Sequence, residues 1–349
     1  MKSRRFVRSG ILICTLFISN AGLVPLGAAE ISFFVGDTTL LRGGKAIPVE
    51  TGMKLQSGDV IHTGGGSETQ VLFDDGSVVR LKEMTTVRIG SSGIEGSSDV
   101  AVSRGSVSAK FAKIKKGEKK VYGPTVICAV RGTEFNLTVS KNGDSRVDLS
   151  EGSVENRNPY GSRMLKSGTS SETSVGKEPV PAGESTDLWR EKTEHELKEN
   201  PGNIADSFRK YVRTFDSRNS ETSVSMKKLS ARAGSVRKET ATGTGDEISQ
   251  AETRIVEDYV LNETAGDALD GIIHDFSESK KDIYDTFLAV KEESNRVREL
   301  QKQNYEAIRA IRDEYLKNYE MIKGIHKKET ERIKESLKDT DTRPKFPEK

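Results

Sequence analysis

The hydrophobic pattern changes its period once along the chain, near residue 185, and this change limits what the sequence can fold into. Before it, short alternating runs of Val, Ile, Leu and Phe are separated by glycine-rich turns, a pattern typical of strands. After it, apolar residues recur at helical spacing among many Lys and Glu residues. We therefore predict a mainly β chain: a β-sandwich or short β-solenoid over residues 30–185, followed by a C-terminal α-helical, coiled-coil-like region.

Two hairpins are the clearest local signals in the β region. Alternating arms over residues 70–81 flank Asp75-Gly76, and residues 136–149 repeat this plan around Asn142-Gly143. Both dipeptides suit turns that need a positive φ. The resemblance between the hairpins reflects either common turn chemistry or a weak internal repeat, as in a solenoid. Further predicted strands are 31–35, 60–62, 86–89, 100–102, 107–111, 121–130 and 154–156, and residues 113–120 predict a basic loop.

The second half of the chain is predicted to be largely helical. Residues 186–216 predict two short helices separated by Pro201-Gly202, and residues 217–245, rich in Ser, Thr, Gly and Lys, predict a flexible linker. Residues 246–339 predict a long α-helical or coiled-coil region, and residues 340–349 a disordered tail. A charged helix that packs back on the β domain is the alternative to a coiled coil.

A narrow apolar stripe carries the coiled-coil prediction, because its members repeat every seven residues. Polar side chains interrupt this stripe and its companion row at several positions. The stripe consists of Phe276, Ile283, Val290, Val297, Ile311 and Ile325, with Ile308, Tyr315 and Ile322 in companion positions; the interruptions are Lys280, Ser294, Gln301, Asn304 and Asn318.

The first 29 residues have the pattern of a secretory signal peptide. A basic start is followed by an apolar run over residues 10–18 and by Gly27-Ala28-Ala29, whose small residues suit cleavage after Ala29. A retained membrane anchor is the alternative, although a spanning helix needs about 20 apolar residues. A lipoprotein attached through Cys14 is disfavoured, since Cys14 lies deep in the apolar run. We expect an exported protein located in the periplasm, with membrane association or surface exposure as alternatives.

Charge and cysteine content exclude some classes of protein. The chain has 55 Lys and Arg against 53 Asp and Glu, and four of the basic residues lie within residues 1–29. The remainder is close to neutral, so we expect no general nucleic-acid binding. Removal of Cys14 with the signal would leave Cys128 alone in an apolar run, where we expect a small buried side chain.

We find no catalytic or metal-binding pattern in the sequence. The four histidines are scattered, no His-Glu-x-x-His or Cys/His zinc spacing occurs, and Gly64-Gly65-Gly66 lacks the Lys-Ser/Thr ending of a phosphate loop. We therefore expect no enzyme, no cofactor and no metal site.

A series of glycine-centred motifs runs through the β region in a defined order. The motifs are Gly58-Asp59-Val-Ile-His-Thr63-Gly64, Phe73-x-x-Gly76-Ser77, Gly105-x-Val107, Val130-Arg131-Gly132-Thr133-Glu134-Phe135 and Glu151-Gly152-Ser153-Val154. In this combination they resemble the FecR domain, over about residues 32–185. We interpret them as residues that define the fold before any that bind a ligand. Gly132 suits a bulge or sharp bend, Arg131 could bridge carbonyls or a carboxylate, and Asp59 suits an Asx-type turn.

The resemblance implies a non-catalytic periplasmic recognition module. In well-understood members of the family, a cytoplasmic anti-sigma segment and one transmembrane helix precede this domain, and here we expect the mature chain to begin at the module. The first hypothesis is an exported recognition or scaffold protein that contacts an envelope protein or the cell wall and self-associates through its helical tail. The alternative is a membrane-anchored periplasmic component of a signal-transduction or sigma-factor regulatory system.

Overall fold

A computed structural model describes residues 29–91, 99–113, 119–130, 132–235, 241–276 and 280–339. The strands are β1 (Ala29–Val35), β2 (Thr38–Arg42), β3 (Lys45–Ile47), β4 (Val60–Thr63), β5 (Glu68–Phe73), β6 (Val78–Leu81), β7 (Thr86–Ile89), β8 (Val100–Lys110), β9 (Lys119–Tyr122), β10 (Ile127–Val130), β11 (Glu134–Val139), β12 (Ser145–Glu151), β13 (Ser153–Asn158), β14 (Gly161–Lys166), β15 (Ser170–Thr173) and β16 (Val180–Pro181). The helices are α1 (Thr186–Glu199), α2 (Pro201–Gly234), α3 (Ala241–Phe276) and α4 (Lys281–Asp339). The predicted signal peptide, apart from Ala29 in β1, and the predicted tail at 340–349 lie outside the described residues.

The strands form two sheets that share β8. Sheet A has the order β1-β5-β6-β8-β11-β12-β15-β16, and sheet B has the order β3-β2-β4-β7-β8-β9-β10-β13-β14. The first half of β8 pairs with β7 in sheet B, and the second half pairs with β6 and β11 in sheet A. The strand changes sheets at Gly105. Its φ is +89°, a backbone conformation that glycine adopts with little conformational energy because it has no Cβ.

The two sheets bury their apolar sides in one core, which makes the β region a sandwich. Alternation directs Val71 and Leu81 inward from sheet A, and Ile61 and Val87 inward from sheet B, into a common cluster. Cys128 lies in the same cluster as a free, buried thiol, as predicted, and burial raises its pKa. Among the described strands every pairing except β8–β9 is antiparallel, so the solenoid alternative is wrong.

Both predicted hairpins are present and close in the same way. Gly76 and Gly143 have φ of +82° and +88°. The side chain of Asp75 accepts a hydrogen bond from the backbone of Ser77 at 3.0 Å, and Asn142 accepts one from Asp144 at 3.0 Å. The same side-chain-to-backbone turn therefore forms twice, as the dipeptides predicted.

Several strand predictions needed correction. Segments 100–102 and 107–111 are parts of one strand, β8, because Gly105 bends the chain without ending the ladder. Segment 121–130 is divided into β9 and β10 by a turn in which Gly123 donates to Val126 O at 2.8 Å. The strands β2, β3, β14, β15 and β16 were not predicted. Within the predicted basic loop 113–120, residues 114–118 lie outside the described part.

The prediction of a mainly β chain is wrong for the protein as a whole. The four described helices contain 14, 34, 36 and 59 residues. Helix α1 lies against sheet A, α3 lies against sheet B, and α2 and α4 pack on α3. The predicted linker at 217–245 is also wrong, because α2 continues to Gly234 and α3 begins at Ala241. Within this segment Thr222, Met226, Leu229 and Ala233 are buried at helical spacing. Their tertiary packing stabilises a helix that composition alone did not favour.

The apolar stripe of α4 packs within its own chain. Val290, Val297 and Ile308 are buried in one cluster with Phe208 and Phe215 of α2 and with residues of α3. This arrangement combines the two sequence alternatives, since α4 packs on α2 and α3, while α3 contacts the β domain. The seam is therefore occupied by helices of the same chain along this part of α4.

Two of the polar interruptions of the stripe form a buried network with α3. Asn262 donates to Gln301 Oε1 at 3.0 Å, and Ser294 donates to Asn262 Oδ1 at 2.8 Å. Asn304 donates to Asn219 of α2 at 2.6 Å. Buried polar groups of this kind fix the register between helices, because any slip would leave them without partners.

Asp144, next to the β11–β12 turn, predicts a pH dependence of stability. It is 7% exposed and accepts a hydrogen bond from Val175 N at 2.9 Å. Burial raises its pKa from 3.8 to about 6. A raised pKa in the folded state contributes stability below about pH 4 that is lost as the pH rises through about 6.

We expect Asp144→Asn to remove about 2–3 kcal/mol of the stability difference between pH 4 and pH 7. Urea unfolding of the full chain at a series of pH values measures this. Asp206→Asn, at an exposed carboxylate on α2, is the control and should leave the pH profile unchanged. An Asp144→Asn profile parallel to that of the unmodified chain would show that Asp144 does not titrate in this range.

Candidate functional site

A cleft of about 500 Å³ lies between the outer face of sheet A and helix α1. Its floor is formed by β8, β11 and β12, and the loop after β6, residues 82–85, forms one wall. Ser106, Asn136 and Thr138 lie on the floor, while their neighbours Val107 and Leu137 are buried in the core. Strand alternation thus gives an apolar inner face and a polar cleft floor.

Helix α1 is held over the sheet at both of its ends. Near its beginning Thr186 donates to Asp148 Oδ2 at 3.2 Å. Near its end Thr193 and Ser140 share a hydrogen bond of 2.6 Å, and Lys141 pairs with Glu194 at 3.3 Å. Since these contacts bridge α1 to β12 and to the β11–β12 turn, the helix forms a fixed wall of the cleft.

The loop wall is held from behind by two of the predicted motif residues. Thr63 donates to Lys82 O at 2.6 Å and accepts from Thr85 N at 3.0 Å. Gly64 O accepts from Met84 N at 3.2 Å. The motif therefore positions the backbone that carries Lys82 and Met84 into the cleft.

Met84 has an unusual backbone conformation at this wall. Its φ is +52°. Among the residues that the structure describes, Met84 is the only non-glycine residue with a positive φ. Its side chain is 53% exposed. Left-handed conformations at non-glycine residues cost energy and cluster at functional sites, so Met84 marks this loop as a candidate contact region.

Ser106 connects the parts of the cleft. Its backbone N–H donates to Thr85 Oγ1 at 3.0 Å, and its hydroxyl shares a hydrogen bond of 3.0 Å with the hydroxyl of Thr138. The guanidinium of Arg190, on α1, donates to the same hydroxyl at 3.0 Å. Loop, sheet and helix therefore meet at one buried serine.

The charges of the cleft are unevenly paired. Lys141 pairs with Glu194, Arg104 with Asp275 at 2.8 Å, and Asp148 with Arg146. Within the described part of the chain, no carboxylate lies within ion-pair distance of Arg190, whose guanidinium has the Ser106 hydroxyl as its acceptor. Arg190 is therefore a cation with spare hydrogen-bond donors facing the cleft.

The first motif forms a buried turn. Asp59 is 1% exposed and accepts from Arg42 Nε at 2.9 Å and from Arg42 Nη2 at 2.6 Å. It also accepts from Gln56 N at 2.8 Å, three residues earlier, which differs from the predicted Asx-type turn. Gly58 has a φ of +90°. This part of the motif ties β2 to the β4 turn, away from the cleft.

The second motif closes the β5–β6 hairpin. Phe73 is 3% exposed in the core, and Gly76 supplies the positive φ of the turn. The hydroxyl of Ser77 accepts a hydrogen bond from Ala112 N at 3.1 Å. This hairpin end is thereby attached to the segment that follows β8.

The remaining motif residues surround the ends of β11 and β12. Gly132 and Gly152 have φ of +72° and +92°, and a Cβ on Gly152 would lie 2.9 Å from Thr133 Cγ2. Phe135 is fully buried and stacks on Phe111. Glu151 lies opposite Glu134 in the β11–β12 ladder. Arg131 lies outside the described residues.

The motif residues thus occupy separate turns. Thr63 and Gly64 hold the cleft wall from behind, and Gly105 lines the cleft itself. Sequence reasoning missed Arg190, Ser106 and Asn136. The alternation of polar and apolar residues over 106–109 and 134–138 is the sequence signal from which an outward polar face could have been predicted. It did not predict that α1 would lie over this face.

The outer side of sheet B is covered by α3. Arg88 of β7 is 5% exposed and pairs with Glu263 at 3.1 Å and with Asp267 at 2.9 Å. Ser91 donates to the second oxygen of Glu263 at 2.9 Å. Burial raises the pKa of Asp267, although attraction from Arg88 opposes this shift.

A second group of ion pairs attaches α3 to the strands beyond β8. Arg157 and Lys120 pair with Glu257 at 2.7 Å and 2.9 Å. Burial alone would raise the pKa of Glu257, but hydrogen bonds and attraction from these two cations lower it. The acidic residues of α3 therefore match basic residues on sheet B.

The described residues offer neither a metal-binding cluster nor a membrane-spanning helix. Over the described ranges, no group of three or more His, Cys, Asp and Glu side chains is placed to hold a metal ion. Along the same stretches, none of the helices combines the length and apolar character that a membrane crossing requires.

The fold and the cleft define a β-sandwich module with one open polar face and one face covered by its own helices. Residues 59–155 match the family model described as FecR protein, so the chain carries a FecR domain in this region. No curated protein matches the chain.

Two crystal structures of a candidate anti-sigma factor from Parabacteroides distasonis ATCC 8503 are similar to part of the chain. The first is 20% identical, with a TM-score of 0.32, and the match covers 37% of this chain and 61% of that one. The second is 18% identical, with a TM-score of 0.32, and covers 44% of this chain and 73% of the other. The chain thus spans about three-fifths of the first of these structures.

Proposed function

We propose that this protein is an exported, non-catalytic recognition or scaffold module of the cell envelope, and that it binds its partner through the cleft on sheet A. The observation that supports this proposal is the difference between the two outer faces of the sandwich. Sheet B is paired with α3 through Arg88, Arg157 and Lys120. The cleft on sheet A instead presents the Arg190 guanidinium and the Asn136 side chain.

The construction of the cleft supports a binding role. Its walls are held by hydrogen bonds from Thr63, Thr186 and Thr193, so the site exists before a partner arrives. A preformed site loses less conformational entropy on binding than a mobile one. A volume of about 500 Å³ also falls within the range of ligand clefts, which is about 300–1,000 Å³.

Site-specific photo-cross-linking in cells tests this proposal. A photoreactive residue at position 136 places the probe on the cleft floor, and the same residue at the exposed position 227 of α2 is the control. We expect a discrete envelope adduct, protein or cell-wall fragment, from position 136 and none of the same mass from position 227. Equal adducts from both positions, or none from position 136, would contradict the proposal.

A membrane-anchored component of a signalling system is the second candidate function. The FecR domain and the description of the Parabacteroides protein favour it. In this case the apolar segment at the beginning of the chain would be retained as an anchor. N-terminal sequencing of the mature protein distinguishes the two: a start at Glu30 supports export with cleavage, and a retained N-terminus supports the anchor.

Self-association is a further part of the scaffold proposal. Asn318 donates to Ala233 O near the end of α2, so about the last 20 residues of α4 extend past that point. A helix that leaves its bundle can pair with a second copy. Sedimentation equilibrium of the full chain should show a dimer, and a monomer at all accessible concentrations would remove this part of the proposal.

A further inference from the structure

We propose, on the basis of the recognition role given to the cleft, that its ligand is an acidic peptide segment whose carboxylate pairs with Arg190. The guanidinium donates one observed hydrogen bond, to Ser106 Oγ at 3.0 Å. A guanidinium has five N–H donors in a planar arrangement that matches both oxygens of a carboxylate. The remaining donors are therefore unfilled recognition groups with the geometry that a carboxylate requires.

The surroundings of Arg190 favour an incoming carboxylate over one supplied by the chain. Glu194 pairs with Lys141, and Asp148 is held by Arg146, Ser170 and Thr186. Glu83 accepts from Gly66 N at 2.7 Å. These three acids already have partners, so pairing any of them with Arg190 would break an existing contact. The fourth acid of the cleft, Asp187, lies three residues before Arg190 on α1, and within the described residues the two form no ion pair.

The position of Arg190 is also fixed. Ser106 is 6% exposed and Thr138 is 3% exposed, and their hydroxyls are bonded to each other at 3.0 Å. Arg190 contacts the end of this pair, on a helix anchored by the buried Trp189. A guanidinium held in place loses less side-chain entropy when it binds a ligand.

The mixed chemistry of the walls favours a peptide. Met84 offers an exposed apolar side chain, and Asn136 offers an amide that can both donate and accept, as the backbone of a peptide requires. In the part of the chain that the structure describes, no aromatic ring lines the cleft, whereas sugar-binding sites commonly stack sugars on such rings. A short peptide with a carboxylate and an apolar neighbour fits these groups.

The test is a titration of the full chain with short peptides, in which the fluorescence of Trp189 reports binding. Trp189 is the single tryptophan of the chain and is adjacent to Arg190 in the sequence. The probes are three acetylated four-residue peptides, built from alanine and leucine apart from one glutamate in the third. One has a free C-terminal carboxylate, the second is amidated, and the third is amidated with one internal glutamate. Comparison of the first and third peptides distinguishes a chain-end carboxylate from a side-chain carboxylate.

We expect at least one carboxylate peptide to bind roughly tenfold or more tightly than the uncharged peptide. Arg190→Gln should abolish this preference, and Arg190→Lys should keep part of it, because the charge remains and the planar fork is lost. Arg209→Gln, which removes a partly exposed charge from α2 that does not line the cleft, is the control and should leave all three affinities unchanged.

Equal binding of charged and uncharged peptides, binding by neither carboxylate peptide, or unchanged affinities in Arg190→Gln would each overturn the inference. The thermal melting of both Arg190 variants shows whether the fold is retained. Cross-linking from position 136 that persists in Arg190→Gln would leave the recognition role in place while the carboxylate assignment fails. If the chain with Arg190 intact gave no adduct from position 136, the recognition role itself would be contradicted.

Discussion

Replacing Arg88 with alanine is expected to lower the free energy of unfolding by about 3–5 kcal/mol, because it leaves buried carboxylates without their cation. Glu263 is fully buried and Asp267 is 28% exposed, and both lie within 3.1 Å of Arg88 Nη1. Urea unfolding of the full chain measures the loss. The variant also tests whether this contact attaches α3 to the sandwich. If it does, both the helices and the sandwich should unfold at lower urea concentration.

The pH dependence of this loss has a defined sign. Burial raises the pKa of Asp267, and Arg88 opposes the shift. Without Arg88 the folded-state pKa rises further, and a raised carboxyl pKa costs stability as the pH rises through it. The Arg88→Ala penalty should therefore be larger at pH 8 than at pH 5.

Arg104→Ala is the matched control for Arg88→Ala. Arg104 also joins β8 to α3, but its pair with Asp275 has side-chain exposures of 22% and 32%. Partly exposed pairs contribute about 1 kcal/mol or less. A penalty for Arg88→Ala no larger than that for Arg104→Ala would show that the Arg88 cluster does not attach α3.

Replacing Gly105 with alanine is expected to cost about 3 kcal/mol or more. The φ of +89° is unfavourable for a residue with a Cβ, which costs about 1–2 kcal/mol. The added Cβ would also lie 2.6 Å from Thr85 Cα and 2.7 Å from Met84 O, and these are backbone atoms that cannot rotate away. Overpacking of this kind costs a further 1–3 kcal/mol, roughly.

Gly76→Ala separates the two contributions. Gly76 has a similar φ of +82°, but nothing lies within 4 Å of its Cβ position. Thermal or urea unfolding should show a penalty of about 1–2 kcal/mol for Gly76→Ala and a clearly larger one for Gly105→Ala. Equal penalties would mean that the loop of residues 82–85 does not press on β8, and the described cleft wall would be wrong.

The parts of the fold that depend on local chemistry were predictable from the sequence. Asp75-Gly76 and Asn142-Gly143 specify their turns through their own side chains and φ values, and both hairpins form there. Apolar members of the alternating arms, such as Val71 and Leu81, lie in the core of the sandwich. Helix α1 was predicted within a residue or two, because its N-terminal and C-terminal signals lie in adjacent residues.

The parts that depend on contacts between distant segments were not predictable in this way. The continuation of α2 through residues 217–234 rests on packing of Met226 and Leu229 against other helices. The polar residues Ser294 and Gln301, which weakened the coiled-coil pattern, form hydrogen bonds with Asn262, about 30 to 40 residues earlier in the chain. Composition and periodicity report neither partner.

The candidate site was the least predictable part. The motif residues were interpreted as fold-defining, and Thr63 and Gly64 do hold the cleft wall, but Arg190 belongs to no motif. It becomes notable through its contact with Ser106, 84 residues away. That Arg190 has no carboxylate partner becomes visible when the ion pairs of the surrounding charges are known from the three-dimensional structure.

Hydrogen–deuterium exchange of the full chain, alone and with the partner captured from position 136, tests the central claim most directly. Binding at the cleft predicts slower exchange in residues 82–85, 104–106, 136–139 and 186–194, which form its walls and floor. Residues 255–275 of α3, which cover sheet B, should exchange at the same rate in both samples. Slower exchange in α3 with no change around the cleft would contradict the assignment of the recognition site.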